Sequence, residues 1–157
     1  MIADSFPQFW FPFVQPGLSY LESGHGELVL DRLKKSFIDR HVAYVYEDVC
    51  RAQLWDLSTQ GVVPVFLEKV GRWWDARDGE IDIVRLSEVD NAIVLGECKF
   101  KNSPLGVDVL TDLEEKSCRV KWGDPNRAEY FVLFSISGFS DALHQVADQR
   151  SNVILTE

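Results

Sequence analysis

Three charged residues stand inside stretches of the sequence that are otherwise apolar. Glu97 and Lys99 close the run Ile93-Val94-Leu95-Gly96, and Asp82 interrupts the run from Ile81 to Val84. An ionised group that leaves water costs several kcal/mol unless it is paired with an opposite charge or binds a metal. The position of these three charges therefore needs a chemical reason.

The spacing of these residues predicts that their side chains meet. In a β-strand, residues two apart share a face, so Glu97 and Lys99 project together while Cys98 points to the other side. If the strand that carries Asp82 pairs alongside, two carboxylates and one ammonium group converge, as hard divalent-cation chemistry requires. The carboxylates could bind Mg²⁺, and Lys99 could position an attacking water or stabilise developing negative charge. The open alternative is an ion-paired trio on a half-exposed edge strand.

The elements that must position these residues follow from hydrophobic periodicity and turn signals. Apolar residues recur at helical spacing in two early segments, and Asp78-Gly79 is a hairpin signal between two strand candidates. We predict helices over 26–40, 41–57, 107–121 and 140–149, and strands over 67–76, 80–86, 92–100, 130–136 and 153–155. An antiparallel start joined by helices to later strands predicts a mixed sheet with helices on both faces.

The bulk composition is typical of one globular domain, which we expect to span residues 1–157. The chain has 157 residues, of which 46% are hydrophobic and 26% charged. No apolar stretch approaches the roughly 20 residues that span a bilayer. The first residues lack a basic region followed by an apolar one, so we expect no secretory signal. Cys50, Cys98 and Cys118 are widely spaced, which indicates reduced thiols and neither a disulfide framework nor a zinc site. We expect a cytoplasmic protein without membrane contact.

The net charge of −9 argues against strong autonomous binding of nucleic acid. Proteins that depend on phosphate contacts usually present a basic surface. Charge can still be local, since five cations follow the central motif: Lys99, Lys101, Lys116, Arg119 and Lys121. Any DNA contact is therefore expected to be weak without help from a fused or bound partner.

The segment 1–25 is dense in aromatic residues and prolines, as in Phe9-Trp10-Phe11-Pro12-Phe13. Proline is excluded from a regular helix interior, so we expect an aperiodic aromatic strap ahead of a core at 26–157. So many aromatic side chains lead us to expect a partner surface, with a homodimer as one form of it. They also lead us to expect that Met1 marks a boundary within a once larger protein.

Several segments, taken in order, resemble a known superfamily. Gly79-Glu80-Ile81-Asp82 and Gly96-Glu97-Cys98-Lys99, followed by a helix, resemble the PD-(D/E)XK nucleases. More narrowly, these segments, the aromatic segment, the helix segment Val45 to Arg51 and Asp75 are similar to the C-terminal domain of archaeal-type STAND ATPases, a family of unknown function also found in bacteria. The resemblance implies an α/β fold with a restriction-endonuclease-like αβββαβ core, in which helices flank a mixed central sheet.

The resemblance also implies roles for individual residues. Asp82 and Glu97 correspond to the catalytic metal-binding acids, Lys99 to the catalytic lysine, and Glu47 to a first-helix glutamate that often completes the metal site. For Glu47, a solvated position on the helix surface is the open alternative. The implied cofactor is Mg²⁺ or Mn²⁺, and the implied partners are DNA and an ATPase region in cis or in trans.

Other polar and aromatic residues are secondary candidates for contact with nucleic acid. Lys101, Lys116 and Lys121 could follow a phosphate backbone, although a charged helix face is usually just solvated. Trp73 and Trp74 could stack on bases. Adjacent strand residues face opposite ways, so we expect one of the two indoles to belong to the core.

These observations favour a metal-dependent DNA endonuclease that hydrolyses phosphodiester bonds by metal-activated water. The alternative is a catalytically idle module that binds a partner or regulates an ATPase, and a dimerisation domain is a further one. The complete set of two acids and a lysine favours the enzyme. The acidity of the chain and its aromatic segment favour the module.

Overall fold

A computed structural model describes residues 5–37, 42–75 and 79–157. The chain divides into two compact units, Met1–Tyr46 and Glu47–Glu157. The expectation of a single domain with a boundary after residue 25 stays a prediction. Among the described residues, no helix is long and apolar enough to cross a membrane.

The first unit is helical. It contains α1 (Ser5–Phe9), a π-helical turn (Trp10–Val14), a 3-10 turn (Gln15–Gly17), α2 (Leu18–Glu22) and α3 (Gly26–Phe37). The prediction of an aperiodic strap is therefore wrong for the described part of 1–25. Proline tolerates the first turn of a helix, where its missing N–H has no partner to lose. Pro7 lies in the first turn of α1 and Pro16 is the second residue of the 3-10 turn, so prolines divide this segment into short turns without unwinding it.

Aromatic rings hold the described part of the first unit together. Phe9, Phe13 and Phe37 pack ring against ring with centroids 5.7–5.9 Å apart. Such contacts add a modest stabilisation beyond the burial of area. Phe13 is buried, whereas Phe11 is 59% exposed. The aromatic segment thus supplies both a small core and exposed apolar surface.

The second unit is built on one five-stranded sheet. Its elements are α4 (Ala43–Thr59, from residue 47 onward), β1 (Lys69–Trp74), β2 (Glu80–Ser87), β3 (Ala92–Lys99), α5 (Val107–Ser117), β4 (Ala128–Ser135), α6 (Asp141–Gln149) and β5 (Val153–Thr156). The strands lie in the order β1-β2-β3-β4-β5; β1, β2 and β3 pair antiparallel, while β3, β4 and β5 pair parallel. The predicted αβββαβ order with a mixed central sheet is confirmed.

Alternating side chains give the sheet two covered faces. On one face, residues of β3 and β4 such as Leu95 and Leu133 join the main core with Leu110 and Leu113 of α5 and Leu143 of α6. Burial at this scale is the principal stabilising term of such a unit. The other face meets α4: Arg85 of β2 donates a hydrogen bond to the carbonyl of Arg51, and Gln53 donates one to Thr156. Helices flank the sheet on both sides, as predicted.

Most predicted element boundaries agree with the structure to within a few residues. The largest described difference is in α5, which ends at Ser117, whereas the sequence predicts residue 121. The predicted ends of the first helix and of the first strand, with the Arg77-Asp78 part of the hairpin turn, lie outside the described residues.

Candidate active site

A β-bulge shapes the part of β2 that carries Asp82. Gly71 pairs with Val84 and Trp73 pairs with Ile81, so Asp82 and Ile83 together oppose the single residue Arg72. A bulge of this kind inserts one extra residue and reverses the alternation of side chains beyond it. Ile81 and Val84 consequently join the same core although their positions differ by an odd number. The bulge therefore sets the direction of the Asp82 side chain.

The Asp82 carboxylate lies between β2 and β3. The last paired residues toward this end are Ile83 and Gly96, and beyond them Oδ2 of Asp82 accepts a hydrogen bond from the backbone N–H of Cys98 at 2.9 Å. A side-chain oxygen thus bonds the β3 backbone just beyond the last backbone pair of β2 and β3. Because Cys98 lies between Glu97 and Lys99 in the chain, this bond holds the Asp82 carboxylate next to both residues.

Glu97 is a buried acid whose two carboxylate oxygens have different surroundings. Its residue is only 3% exposed, and the Lys99 ammonium contacts Oε1. Its Oε2 is buried and accepts no hydrogen bond from any described residue. Burial, and then the charge of Asp82, raise the pKa of Glu97 above its usual value in spite of the neighbouring lysines. A buried carboxylate oxygen without a partner is costly, and a cation would satisfy it.

Lys99 keeps its charge beside this acid. Burial lowers the pKa of Lys99, but the Glu97 carboxylate and the hydrogen bond to it outweigh that effect, so the pKa lies above its usual value. Lys99 is consequently an ammonium at neutral pH. The expected face sharing is observed, and Cys98 points the other way, where the pKa of its thiol is raised by its hydrogen bond with Cys50 and by burial.

Lys116 reaches the same acid from the facing helix. Its ammonium lies 3.7 Å from Oε2 of Glu97 and 2.7 Å from Oδ2 of Asp112, and its side chain is only 12% exposed. Sequence reasoning treated Lys116 as a candidate DNA contact and missed this placement. The available signal was its position on the helix face of Leu113, which is buried. Direct contact between Lys116 and DNA stays a prediction.

Glu47 lies close to Asp82 but is held by arginines. It pairs with Arg51 at 2.9 Å and with Arg72, and its side chain is 18% exposed, so it is not a solvated surface glutamate. Burial, followed by the charge of Asp82, raises the pKa of Glu47, while Arg72 and Arg51 act in the opposite direction. The structure brings Glu47 to the edge of the site, and metal ligation by it stays a prediction.

The donor set fits a divalent cation that is held only partly by protein. Among the described residues there is no group of three or more His, Cys, Asp or Glu side chains poised to hold a metal ion. Asp82 and Glu97 nonetheless offer hard carboxylate oxygens, and Oε2 of Glu97 has no hydrogen-bond partner. Mg²⁺ is commonly bound through one or two carboxylates together with water and substrate phosphates. These residues therefore suit such an ion.

The remaining candidates are divided between the core and the surface. Trp73 packs against the core and Trp74 is exposed, so the expectation of one core indole is confirmed. Lys101 is exposed just after β3, at the end of the strand that carries Glu97. Lys121 is exposed in the segment after α5, close to Gly123, which approaches Asn91 at the opposite end of β3. The structure therefore brings Lys101, but not Lys121, to the candidate site's end of β3.

Sequence comparison places most of this architecture in a known family. Residues 10–124, which include the first-unit turns, α4, the three antiparallel strands and α5, match the model of the DUF234 family, described as "Archaea bacterial proteins of unknown function". The chain belongs to this family. All four candidate catalytic residues lie within the DUF234 match.

One curated relative and one solved structure are also similar to this DUF234 chain. An uncharacterized protein of Methanocaldococcus jannaschii, MJECL04, is 31% identical over 101 residues, which make up 64% of this chain and 22% of that protein. The chain thus spans about a fifth of the relative's length. A crystal structure of a repair endonuclease from Pyrococcus abyssi aligns with a TM-score of 0.39 and 12% identity, over 68% of this chain and 46% of the other. A likeness at that level says nothing about the activity of this chain.

Proposed function

We propose that this chain is a metal-dependent DNA endonuclease of the PD-(D/E)XK type. The observation that carries the proposal is the state of Glu97, a buried carboxylate with Lys99 on one oxygen, no hydrogen bond on the other, and Asp82 on the neighbouring strand. Buried charge without full compensation is rare in structural positions and frequent in catalytic ones.

The topology supports the same proposal. The two acids and the lysine lie on the second and third strands of an αβββαβ core, in the order that the superfamily motif requires. Glu47 lies on α4, which precedes the strands. This is the position at which the resemblance expects a helix glutamate. Fold alone does not determine function, so the weight rests on the side chains and on their order.

Each site residue has a task in phosphodiester hydrolysis. Asp82 and Glu97, with Glu47 as a third candidate, would hold Mg²⁺ or Mn²⁺. When bound, that ion polarises the phosphate and lowers the pKa of a coordinated water. Lys99 would stabilise the negative charge that develops on the phosphate oxygens as the water oxygen bonds to phosphorus and the bond to the leaving oxygen breaks. A proton goes to that leaving oxygen, and the reaction yields a phosphate monoester and a free hydroxyl.

Metal ligation by Oε2 of Glu47 would require a rearrangement of its ion pairs. This one oxygen contacts both Arg72 and Arg51, and an oxygen committed to two guanidinium groups is a poor metal ligand. When the DNA phosphate enters, Arg72 could exchange the carboxylate for a phosphate oxygen, because guanidinium groups bind both anions in the same geometry. Glu47 would then be released toward the ion.

The DNA partner is expected to bind weakly to this chain alone. The net charge is −9, and Lys101 and Lys121 are exposed cations that could contact the backbone. An ATPase region in cis or in trans would supply the missing affinity.

The proposal is tested by a nicking assay with matched site variants. Purified protein with Mn²⁺ should nick supercoiled plasmid DNA, and Asp82→Ala and Glu97→Ala should each abolish nicking. Divalent cation should also raise the melting temperature of the wild type by linkage. Activity that survives in both variants would come from contamination. An unchanged melting temperature together with no nicking would reject the enzyme.

A second candidate function, a catalytically idle partner-binding or regulatory module, has its own support. Several large apolar side chains of the first unit are exposed: Phe6, Phe11, Tyr20, Leu28 and Leu30. Exposed apolar clusters often mark interaction surfaces, and a homodimer or an ATPase region are the two expected occupants. Sedimentation of the purified chain would identify the homodimer by its mass, and absence of any metal effect would favour this function over the nuclease.

A further inference from the structure

The Lys116 ammonium lies beside the buried oxygen Oε2 of Glu97. It lies 3.7 Å from Oε2, which is beyond hydrogen-bond distance, and Oε2 accepts no hydrogen bond from the part of the chain that the structure describes. Asp112, one helical turn earlier on α5, holds the same ammonium at 2.7 Å. Lys116 is therefore held by an anchor of its own and forms a long ion pair with the Glu97 carboxylate, without a hydrogen bond to it.

The charges around Glu97 nearly cancel. Asp82, Glu97 and Asp112 contribute three carboxylates, and Lys99 and Lys116 contribute two ammonium groups. The group as a whole carries one negative charge, and Asp112 is exposed enough for water to screen it. A divalent cation would leave this pocket positively charged, which is unfavourable in a partly buried environment. A phosphate group would restore the balance.

We propose that Lys116 is a positioning residue that makes divalent-cation binding at Glu97 depend on the substrate phosphate. In the free protein, its ammonium compensates the Glu97 carboxylate and lowers the affinity for the ion. In the complex, the phosphate supplies the negative charge that allows ammonium and cation to coexist. This inference rests on the proposed nuclease function and adds an order of assembly to it.

The test is a titration of the full chain with Mn²⁺. The electron paramagnetic resonance signal of the free ion measures how much Mn²⁺ is bound. Lys116→Met removes the charge and keeps much of the volume, so it should bind Mn²⁺ about tenfold more tightly than the wild type. Lys116→Arg keeps the charge, so its Mn²⁺ affinity should equal that of the wild type. Lys34→Met, at an exposed lysine of α3, should also leave the Mn²⁺ affinity unchanged. With a phosphorothioate duplex oligonucleotide present, the wild type should gain more Mn²⁺ affinity than Lys116→Met does.

If Lys116 had only a structural role, Lys116→Met would bind Mn²⁺ more weakly than the wild type, because the site would be damaged. Unchanged or weaker binding by folded Lys116→Met, or an equal gain with the oligonucleotide, overturns the proposal. If Lys116→Met does not fold, Asp112→Asn decides. Releasing the anchor should press Lys116 against Glu97 and weaken Mn²⁺ binding at least about threefold, more than Glu115→Gln does on the same helix. Equal effects of those two variants overturn the proposal.

One further variant separates this inference from the function on which it rests. Glu97→Gln should abolish Mn²⁺ binding with and without the oligonucleotide. If Glu97→Gln binds Mn²⁺ like the wild type, the proposed metal site is wrong. If Glu97→Gln loses binding while Lys116→Met does not tighten it, the site stands and only the role of Lys116 is wrong.

Discussion

The carboxylate of Asp82 accepts a hydrogen bond from the backbone N–H of Cys98 at 2.9 Å. This bond joins β2 to β3 just beyond their last backbone pair, so a single side chain both extends the sheet and faces the candidate active site. Asp82 therefore has a structural task that is independent of any metal. The two tasks respond differently to substitution.

Asp82→Asn should separate these tasks. The amide oxygen still accepts from Cys98, so the free energy of unfolding should change by less than about 0.5 kcal/mol, whereas Asp82→Ala leaves the N–H unpaired and should cost about 1–2 kcal/mol. Both variants should lose Mn²⁺-dependent nicking. Urea denaturation and the nicking assay measure the two effects, and an Asp82→Asn variant that nicks normally would contradict the assignment.

Lys99→Met should slow the chemical step without weakening the metal site. If Lys99 stabilises charge on the phosphate, its removal should lower kcat by roughly 100- to 1,000-fold while KM for DNA changes little. Mn²⁺ binding should not weaken, because an ammonium next to Glu97 has been removed. A variant that loses affinity for DNA but keeps kcat would assign Lys99 to binding.

Much of the sheet could be predicted from alternation and turn signals, because each strand is a short apolar segment with clear boundaries. The convergence of Glu97 and Lys99 follows from the two-residue period of a strand alone. The bulge at Asp82 and Ile83 is a tertiary feature. Its only trace in the sequence is the consecutive pair Ile83-Val84, which interrupts strict alternation.

The predictions that were wrong or missing also concern features that depend on the surroundings of a residue in the fold. The first-unit turns were not predicted because proline was treated as a helix breaker, although Pro7 and Pro16 occupy first-turn positions. Lys116 was expected on the surface because it was read as part of a charged helix face, although it lies three residues after Leu113 and therefore on the buried face of α5. Arg85 was overlooked, since a buried arginine with incomplete hydrogen bonding is rare enough that no pattern predicts it.

The β1–β2 hairpin is tied to the segment after α5 by Asp75 and Arg119. Asp75 accepts from the N–H of Gly79 at 2.9 Å and from Arg119 at 2.6 Å. A Cβ on Gly79 would lie 2.8 Å from the Arg119 guanidinium. Gly79→Ala should therefore displace Arg119 and destabilise the fold by about 1–2 kcal/mol, as measured by denaturation. A neutral Gly79→Ala would mean that the guanidinium moves without cost.

Arg85 is a buried cation whose compensation is incomplete. The residue is 2% exposed, its Nε and Nη1 have no hydrogen-bond partner, and its guanidinium stacks 4.5 Å from the Trp55 ring. Burial, together with the charge of Arg51, lowers the pKa of Arg85 to about 10. Because the unfolded chain holds this proton more tightly, the folded state is penalised at every pH below about 10, and the penalty fades as the pH rises above that value.

Replacement of Arg85 by an apolar side chain of similar length should therefore stabilise the fold. Arg85→Met loses the contact with Trp55 and one hydrogen bond but removes the buried charge, so we expect a gain of about 1 kcal/mol at neutral pH. Arg127→Met is the matched control. Arg127 is also largely buried, but it pairs with Glu129 and donates to three carbonyl oxygens, so the same substitution should cost about 3 kcal/mol. Urea denaturation of both variants is the measurement, and a loss for Arg85→Met as large as that for Arg127→Met would show that Arg85 is fully compensated.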